Sequence, residues 1–488
     1  MTTYLSPVAG SADNTSIINA AIQLVTSGNA ASVILEEGLF VVDNIIHIDR
    51  PISFHGSGDG VTTLAFGENG GIVIALEGAL SSVSLGNFDV IAKDRIKRSV
   101  TAIQTTNLNN SKVSGITIRD HLTGIELNNA TVVTVENISM LEMTNQATGI
   151  LVNGGRDHYL NNIHIDQATP SSDNEGGSVG IDVPFCTSTC ISNVNIINFD
   201  YGVRFHPCRA GQPTHQAVEW CSLSQVAVRH CKIAGFYFNA STAAGNNTLA
   251  RIMGVSLVNC SAGSNQIGVV IEKSDTRAKI DGIDLIGIRI IENLEEGIRI
   301  GSSYSLNTSD ERIRNIKIAD CKIAANSDSG CGLKSGVCVG NGTQNIQIVD
   351  CSIGTWGQSV ATQSHAINLE NSPIDGTTGI IITGNMLEGA VGAAISDQVQ
   401  TRSKVIKANS GYVTEFSGQA FVANGLVEVT VNHFCDGIPV WVSITPMDNM
   451  HNYDPPVITS ITATTFKIVL SAAAFGNKFF LFRAQVYS

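Results

Sequence analysis

Short runs of alternating apolar and polar residues recur along the middle of the chain, and each run begins with a small residue. Alternation with a period of two is typical of β-strands, because successive side chains point to opposite faces. Steps of 22 to 39 residues separate the copies, so the strand repeats while its loops vary. In order, the copies are GIEL at 124, GILV at 149, GIDV at 180, GVRF at 202, GFYF at 235, GVVI at 268, GIRI at 297, GVCV at 336, AINL at 366 and AIS at 394.

A second alternating phrase lies between the copies, so each repeat carries at least two short strands. Repeats of this period are typical of solenoids and propellers, but a propeller blade needs about four strands in 40 to 45 residues. A right-handed parallel β-helix of about ten rungs therefore fits residues 101–400 better. The second phrase is GITI at 115, NIHI at 162, NVNI at 193, GVSL at 254, GIDL at 282, NIKI at 315, NIQI at 345 and GIII at 379.

Cysteine and asparagine recur at one point of the predicted coils, directly after the second phrase. Stacked coils produce such columns, because each inward side chain meets its counterpart one rung away, about 4.8 Å along the axis. The predicted column contains Cys231, Cys260, Asn293, Cys321, Cys351 and Asn385.

The two ends of the chain depart from the repeat. Residues 1–100 are predicted to form a cap and the first coils, with a short amphipathic helix that Asp13 or Asn14 caps. Such a helix would cover strand edges that a solenoid otherwise exposes. Residues 410–488 alternate between Pro, Asn, Asp and Gly breaks, which predicts a small antiparallel β-sandwich-like module. The apolar face of the helix is predicted to contain Ile17, Ile18, Ala21, Ile22 and Val25.

The composition limits which classes of molecule the chain is expected to bind. A formal net charge of −13 argues against nucleic acid or an anionic membrane surface, and an acidic polymer would need local basic groups. The first ten residues lack the basic and apolar regions of a signal peptide, and no apolar run approaches 18 residues, so no membrane insertion is predicted. The eleven cysteines show no repeated zinc-ligand spacing, so we predict buried, reduced thiols, no metal and no cofactor.

Both ends also resemble a known family. The helix followed by the G-x-G turn of RPISFHGSGDGVTTLAF is similar to the first segment of the pectate-lyase-like superfamily, and especially of bacteriophage tailspikes. The C-terminal region, with His433, Gly437, Ile438, Pro439 and the SITPM strand, is similar to small β-modules of tail fibres and tailspikes.

The resemblance implies a homotrimeric virion spike that binds, and usually cleaves, a bacterial surface polysaccharide outside the host cell. It also implies contacts with other phage tail proteins. Tailspikes commonly begin with a virion-attachment domain, and none precedes the helix here. We expect that such a domain has been removed or that the spike docks through another protein.

The outward positions of the repeat predict which residues can contact a substrate. In a GIxI phrase the apolar residues point into the coil, so the x residues form one exposed lane. The second phrase predicts a neighbouring lane of Thr117, His164, Asn195, Ser256, Asp284, Lys317 and Gln347. The first lane contains Glu126, Leu151, Asp182, Arg204, Tyr237, Val270, Arg299, Cys338 and Asn368.

Two long polar loops are predicted to lie over the same rungs, and loops on a rigid scaffold often carry binding groups. Residues 166–178 contain Asp166, Asp173 and Glu175. Residues 205–221 contain His206, Arg209, His215, Glu219 and Trp220.

Glycoside hydrolysis uses two carboxyls, about 5 to 5.5 Å apart for retention and 6.5 to 9.5 Å for inversion, and neighbouring rungs supply such distances. We predict Asp182 as base or nucleophile, since it would lie beside Arg204, and Glu219 as general acid, since it would lie beside Trp220. Glu126 is the reserve carboxylate. Four further residues are predicted to bind substrate: Tyr237 and Trp220 by stacking on sugars, with His164 and Arg209 beside them.

Elimination is the alternative chemistry. A lyase neutralises a uronate carboxylate and needs a base, for which Arg204, His206 and Tyr237 are the candidates. The polygalacturonase pattern of NTD, DD and GHG is absent. We favour a polysaccharide hydrolase over a lyase, with a non-catalytic receptor-binding fibre and a secreted bacterial pectin-lyase-like enzyme as the remaining alternatives.

Overall fold

The computed structural model contains one short helix, a long coil of parallel strands and two small antiparallel sheets. Over residues 101–400 the coil is a parallel β-helix of about ten turns, as the repeat predicts, and further turns precede them. The structure describes residues 2–8, 12–24, 32–58, 60–75, 82–93, 98–167, 177–207, 215–241, 249–274, 278–302, 313–327, 333–340, 342–355, 361–370, 378–399, 403–448, 450 and 453–486.

Each complete coil passes through three faces, and strands on every face pair in parallel with the next coil. The GIxI phrases form the first face. Its strands are Ile45–Ile48, Gly71–Ala75, Arg98–Thr106, the first part of His121–Leu141, Thr148–Arg156, Val179–Thr187, Tyr201–Phe205, Ala234–Ala240, Ile267–Lys273, Ile298–Ser302, Val337–Val339, Ile367–Leu369 and Ile395–Asp397.

The other two faces share several long strands that bend from one face into the next. The second face contains Thr2–Leu5, Ser32–Leu35, Ile52–Gly56, His215–Glu219, Leu249–Val258, Lys279–Ile286, Ile313–Ala319, Thr343–Val349, Thr378–Thr383 and Lys404–Lys407. The third contains Gly38–Val42, Thr62–Phe66, Ser261–Gly263, Arg289–Ile291, Lys322–Ala324, Ser352–Gly354 and Met386–Glu388. Strands that serve both faces are Val83–Ala92, Asn109–Arg119, the rest of His121–Leu141, Tyr159–Asp166, Cys190–Ile197 and Ser222–Arg229.

The inward side of the first face is a stack of apolar side chains, each aligned with its counterpart one coil away. Burial of one such side chain stabilises the fold by roughly 1.5 to 3 kcal/mol. Because the same position is filled in every coil, the core is continuous along the axis. The stack includes Ile125, Ile150, Ile181, Val203, Phe236, Val269 and Ile298, all with no exposed surface.

The small residue that opens each GIxI phrase is required by packing. A Cβ added at Gly202 would lie 2.1 Å from Cγ1 of Val228 and 2.5 Å from the carbonyl oxygen of Gly235. The glycine therefore lets the third face and the next coil approach closely. The recurring glycine of the sequence thus marks the point where the first face begins.

The predicted cysteine and asparagine column separates into two. Cys260, Cys321, Cys351 and Asn385 share one inward position, because the residues that follow them pair in register. Cys231 belongs to another turn, where its N–H donates to Oδ1 of Asn265 at 2.9 Å. Sequence spacing missed this distinction because both turns follow a strand of similar length. The second turn continues as a ladder of buried amides at Asn265, Asn293 and Asn326.

The nine cysteines within the described residues are free, and all except Cys190 are buried. Burial raises the pKa of Cys231 to about 12 and that of Cys260 to about 11. Deprotonation of these two thiols is therefore disfavoured at neutral pH.

The helix Thr15–Gln23 covers the start of the coil, as predicted. Its residues Ile18 and Ile22 are completely buried, and the carboxylate of Asp13 accepts a hydrogen bond from the Thr15 N–H at 2.9 Å. The side chain of Asn19 bonds the edge strand Ile45–Ile48 as another strand would, since it donates to the Ile45 carbonyl and accepts from the His47 N–H. Val25 lies outside the described residues.

The C-terminal region forms two three-stranded antiparallel sheets that share a core. The rings of Phe466 and Phe482, one from each sheet, meet edge to face with centroids 5.2 Å apart. This is the small sandwich-like arrangement that the alternation predicts. One sheet contains Glu415–Val422, Lys478–Gln485 and Trp441–Pro446, and the other contains Glu428–Asn432, Thr465–Val469 and Val457–Thr459.

Candidate functional site

The lane predicted on the first face is present, with one residue of each coil paired in register with the next, although Asp182, Val270 and Cys338 are buried. We call this series the outward lane. In order it contains His47, Val73, Gln104, Glu126, Leu151, Asp182, Arg204, Tyr237, Val270, Arg299, Cys338, Asn368 and Ser396.

Asp182 and Arg204 occupy successive rungs of the lane and form a two-pronged ion pair. Nε of Arg204 donates to Oδ1 of Asp182 at 2.9 Å, and Nη2 donates to Oδ2 at 2.8 Å. Burial lowers the pKa of Arg204, but the bonds and charge of Asp182 outweigh it and leave the pKa raised. Asp182 is only 7% exposed, so this pair is shielded from solvent and geometrically fixed.

Two tyrosines form an aromatic platform beside this pair. The ring centroids of Tyr201 and Tyr237 are 4.8 Å apart with an interplanar angle of 44°, and the Arg204 guanidinium lies 5.2 Å from the centroid of Tyr201. Ala234, Ile267 and Val270 pack against the two rings. Because Tyr201 lies three residues before Arg204, outside the alternating lane, the sequence pattern did not identify it.

A hydrogen-bonding group lies on the other side of the platform. The hydroxyl of Tyr237 donates to Oε1 of Glu272 at 2.6 Å, and Nδ2 of Asn239 donates to the same hydroxyl at 2.7 Å. Burial, followed by the bond and charge of Glu272, raises the pKa of Tyr237 well above its usual value. The phenol is therefore held protonated and acts as a donor at neutral pH.

His206 follows Arg204 by two residues and lies on the same outward side of the strand. Burial, together with the positive charge of Arg204, lowers the pKa of His206. The imidazole is accordingly favoured in its neutral form, which can accept a proton.

Glu219 and Trp220 lie away from Asp182, although the sequence placed them over the same rungs. Glu219 is paired in register with Thr187, five residues beyond Asp182, which is roughly 16 Å along an extended strand at about 3.3 Å per residue. Its carboxylate forms an ion pair with Nη2 of Arg251 at 2.5 Å. The structure therefore gives Asp182 and Glu219 separate cationic partners.

Trp220 is 62% exposed and has a left-handed backbone with φ of 57°. A side chain at Gly254 would meet its ring within 2.5 Å, so the indole lies across the glycine of the next coil. Gly254 thus makes room for a flat aromatic surface that faces solvent.

Glu126 lies two rungs from Asp182 in the same lane, with Leu151 between them. Two rungs correspond to roughly 9.6 Å between backbones. The Glu126 carboxylate accepts hydrogen bonds from Asn128 at 3.0 Å and Thr101 at 3.4 Å. Of the acidic candidates, it is Glu126 that shares the lane with Asp182.

His164 lies on the third face and not beside the outward lane. Its Nδ1 is 3.0 Å from Nδ2 of Asn195, its neighbour in register. The predicted second lane is divided, because Thr117, His164 and Asn195 belong to the third face whereas Ser256 and the residues after it belong to the second. Both phrases follow a kinked turn, which made them look equivalent in sequence. Arg209, Asp173 and Glu175 lie outside the described residues.

Further charged groups continue the site along the lane. Nη2 of Arg299 contacts Glu295 and Glu296, each at 2.9 Å, and Nζ of Lys334 lies 3.3 Å from Glu296. Burial raises the pKa of Glu296, but the bond and charge of Arg299 lower it by more. The thiol of Cys338 donates to Oε1 of Glu370 at 3.3 Å.

Glu272 and Glu370 escaped the sequence prediction for a simple reason. Both lie two residues after a lane position, in GVVIEK and AINLE, so they also point outward. Each strand has two outward positions, and the GIxI phrase contains only the first of them. Counting both would have found them.

The described residues contain no group of three or more His, Cys, Asp or Glu side chains that could hold a metal ion. Within the same ranges, no helix has both the length and the apolar character needed to cross a membrane.

No known family model matches this chain, and no curated protein matches it. Solved structures of the same architecture include a tailspike mutant of Escherichia coli bacteriophage HK620 in complex with a hexasaccharide, with a TM-score of 0.56 at 12% identity. A second mutant of that tailspike, in complex with a pentasaccharide, has a TM-score of 0.54 at 11% identity. Each match covers 99% of this chain and 91% of the tailspike.

A mannuronan C-5 epimerase module of Azotobacter vinelandii is also similar, with a TM-score of 0.50 at 12% identity. That match covers 82% of this chain and 96% of the module. Identities this low show the fold, which is a tailspike-like parallel β-helix.

Proposed function

We propose that this protein is a phage tailspike that binds and depolymerises a bacterial surface polysaccharide, such as a capsule, an exopolysaccharide or an O-antigen. The observation that carries the proposal is the aromatic platform of Tyr201 and Tyr237 on a continuous outward lane, with hydrogen-bonding groups on both sides. Sugar rings present apolar faces and hydroxyl edges, and such a platform offers a partner for each. Tailspikes of this fold have been solved with bound oligosaccharides, which supports this assignment.

Hydrolysis is the proposed reaction, with Asp182 as base or nucleophile. Its two charge-assisted hydrogen bonds from Arg204 hold the carboxylate in a fixed position, as either role requires. Glu126 is the proposed acid, and Glu219, which lies farther from Asp182, is the alternative. Glu126 has the better position, because two rungs of roughly 9.6 Å leave the carboxyls within reach of an inverting separation. Trp220, His164 and Arg209 are proposed to contact more distant sugars.

A polysaccharide lyase on the same scaffold is the second candidate. The observation that favours it is His206, whose pKa is lowered by burial and which lies beside Arg204. A neutral imidazole could abstract a proton while a guanidinium neutralises a uronate carboxylate. The protonated phenol of Tyr237 would then serve as the acid.

We further propose that the protein is a homotrimer located in the virion tail, where it acts on the host cell surface together with other tail proteins. One sheet of the C-terminal region exposes Phe421, Phe479, Leu481 and Trp441 on its outer side. An exposed apolar surface of this kind is typical of contacts between proteins. A non-catalytic receptor-binding fibre and a secreted bacterial enzyme remain the competing assignments.

Incubation of the purified protein with a panel of bacterial surface polysaccharides tests the proposal. We expect oligosaccharide fragments with saturated ends, which hydrolysis produces. Unsaturated ends would instead establish the lyase. Binding without fragments would support the receptor-binding fibre, and absence of binding to every polysaccharide would contradict the proposal as a whole.

A further inference from the structure

The arginines of the outward lane contact carboxylates, whereas several carboxylates of the same surface contact only uncharged groups. The lane contains two cationic residues, Arg204 and Arg299. Arg204 is held by both oxygens of Asp182, and Arg299 contacts two carboxylates, those of Glu295 and Glu296. Each guanidinium therefore already lies beside at least one carboxylate, whose negative charge offsets its own.

Several carboxylates of the same surface have uncharged partners. Glu126 accepts hydrogen bonds from Asn128 and Thr101, and Glu272 accepts from Tyr237 and Asn239. Glu370 accepts from the thiol of Cys338. No lysine or arginine within the described residues lies within 4 Å of these three carboxylates.

A second row of outward positions follows the lane two residues later on each strand. We call the part of this row from His206 to Glu370 the parallel lane, and it contains no lysine or arginine. Its histidine, His206, is favoured in the neutral form by its lowered pKa. In order the parallel lane contains His206, Asn239, Glu272, Gly301, Gly340 and Glu370.

Two glycines, which have no side chains, separate Glu272 from Glu370 along this lane. A Cβ at Gly340 would lie 3.1 Å from Oε2 of Glu370, so the carboxylate extends over the glycine backbone. Glu272 and Glu370 are three rungs apart, which is roughly 14 Å. Neither carboxylate has a lysine or arginine within 4 Å in the described residues, and Arg299 acts on Glu272 only from farther away. The hydroxyl groups of a sugar are donors that suit such acceptors.

We infer that the outward lane takes an uncharged, hydroxyl-rich polysaccharide and discriminates against polyanions such as uronate-containing chains. This inference rests on the proposed function, because it specifies the substrate class of the same surface. A polyanion would place carboxylates beside Glu126, Glu272 and Glu370 while the two arginines are already engaged. The formal net charge of −13 adds long-range repulsion.

The inference also separates the two candidate reactions. Elimination needs a uronate, whose carboxylate stabilises the negative charge that forms when the neighbouring proton is removed. An uncharged polysaccharide lacks that group. The charge pattern of the lane therefore favours hydrolysis.

Binding to a matched polymer pair tests the inference. The probes are mannuronan and the same polymer with its carboxyls chemically reduced to primary alcohols, together with panels of neutral and uronate-containing bacterial polysaccharides. At low ionic strength we expect the reduced polymer and the neutral panel to bind at least about tenfold more tightly than their anionic counterparts. The ratio should decrease as salt is added, because screening weakens the repulsion.

Two variants test whether the carboxylates of the parallel lane cause the weaker binding of anionic polymers. We expect Glu272→Gln and Glu370→Gln each to increase binding of native mannuronan several-fold while binding of the reduced polymer changes less. Glu388→Gln is the matched control, since it removes the same charge from an exposed position on the third face. An equal gain in the control would overturn the role of the lane.

The outcomes distinguish this inference from the proposed function. Equal or tighter binding of the anionic polymers overturns the inference and leaves the polysaccharide-binding function standing. Binding of no polysaccharide, neutral or anionic, contradicts the proposed function and the inference with it.

Discussion

The inward and outward sides of the first face are made by the same strands but follow different rules. Inward, each coil places an apolar side chain over its counterpart, as at Ile150, Ile181 and Val203. Outward, the residues that alternate with them change from Leu151 to Asp182 to Arg204. The inward side chains are apolar in each of these coils, whereas the outward side chain changes from apolar to acidic to basic.

The difference shows which constraint acts on each position. An inward residue must fill a stack whose neighbours are fixed by the coil spacing, so the choice is limited to apolar side chains of similar size. An outward residue is not limited to that size and apolar character, so its chemistry can vary from rung to rung. The regular side should therefore control stability and the irregular side should control binding and turnover.

Truncation of one residue on each side gives the largest expected contrast. Ile181→Ala removes buried methylene and methyl groups from a position with no exposed surface and should lower the free energy of unfolding by about 2 to 5 kcal/mol. Leu151→Ala, one rung away but outward, should lower it by less than about 1 kcal/mol. Urea unfolding of both variants provides the measurement.

A similar loss for both variants would break the comparison. It would mean that the outward side chain of Leu151 is buried in the assembled protein, for example against another subunit. Repeating the measurement at several protein concentrations would then show whether the loss depends on assembly.

Charge-neutralising substitutions on the outward side should affect turnover and spare stability. Asp182→Asn is expected to lower polysaccharide turnover at least about a hundredfold, in line with typical general acid–base contributions, and Glu219→Gln tests the alternative acid. Binding of the polysaccharide should survive. Initial rates of fragment release, together with binding constants, provide the measurement.

Glu126→Gln belongs to the same series, because Glu126 is the carboxylate that shares the lane with Asp182. Glu136→Gln is a suitable control, since Glu136 pairs with Lys112 outside the lane. Near-normal turnover in both Asp182→Asn and Glu219→Gln would show that the catalytic groups lie elsewhere, as in a groove between subunits.

The different constraints on inward and outward positions also explain which features the sequence could predict. The stack and the lane were predictable because both follow from a period of two within strands and a repeat between them. The third face was not separated from the second, because a kinked turn leaves the same alternating signature on either side. His164 was misplaced for that reason.

The site was less predictable than the fold because its contacts cross between coils. The pairing of Asp182 with Arg204 follows from the lane, whereas the ion pair of Glu219 with Arg251 depends on how far a long excursion carries the chain. Tyr201 joins the platform from outside the alternation, since its position is set by the turn that precedes the strand. Loop paths and turn geometry are tertiary properties that spacing does not specify.

As the pH falls, a smaller effect on the free energy of unfolding should distinguish a buried histidine from an exposed one. His158 is fully buried, its Nε2 lies 3.3 Å from the Gly154 carbonyl oxygen, and its Nδ1 has no hydrogen-bond partner in the described residues. Burial lowers the pKa of His158, and the bond to Gly154 and the charge of Asp157 offset only part of that shift. Protonation of the folded protein would place a second N–H donor where no acceptor is available.

The sign of the effect follows from which state binds the proton more readily. The unfolded chain, with a histidine pKa of about 6.5, takes up a proton before the folded chain does, so stability is fully present above pH 6.5 and decreases as the pH falls below it. Because one pKa unit corresponds to about 1.4 kcal/mol, His158 should remove at most about 2 kcal/mol between pH 7 and pH 5. His158→Asn should flatten this part of the pH profile of urea unfolding, whereas His230→Asn, at an exposed position, should leave it unchanged. If the His158 variant keeps the full pH dependence, the acid sensitivity arises from other groups, and burial inside the coil does not distinguish the histidines as the comparison requires.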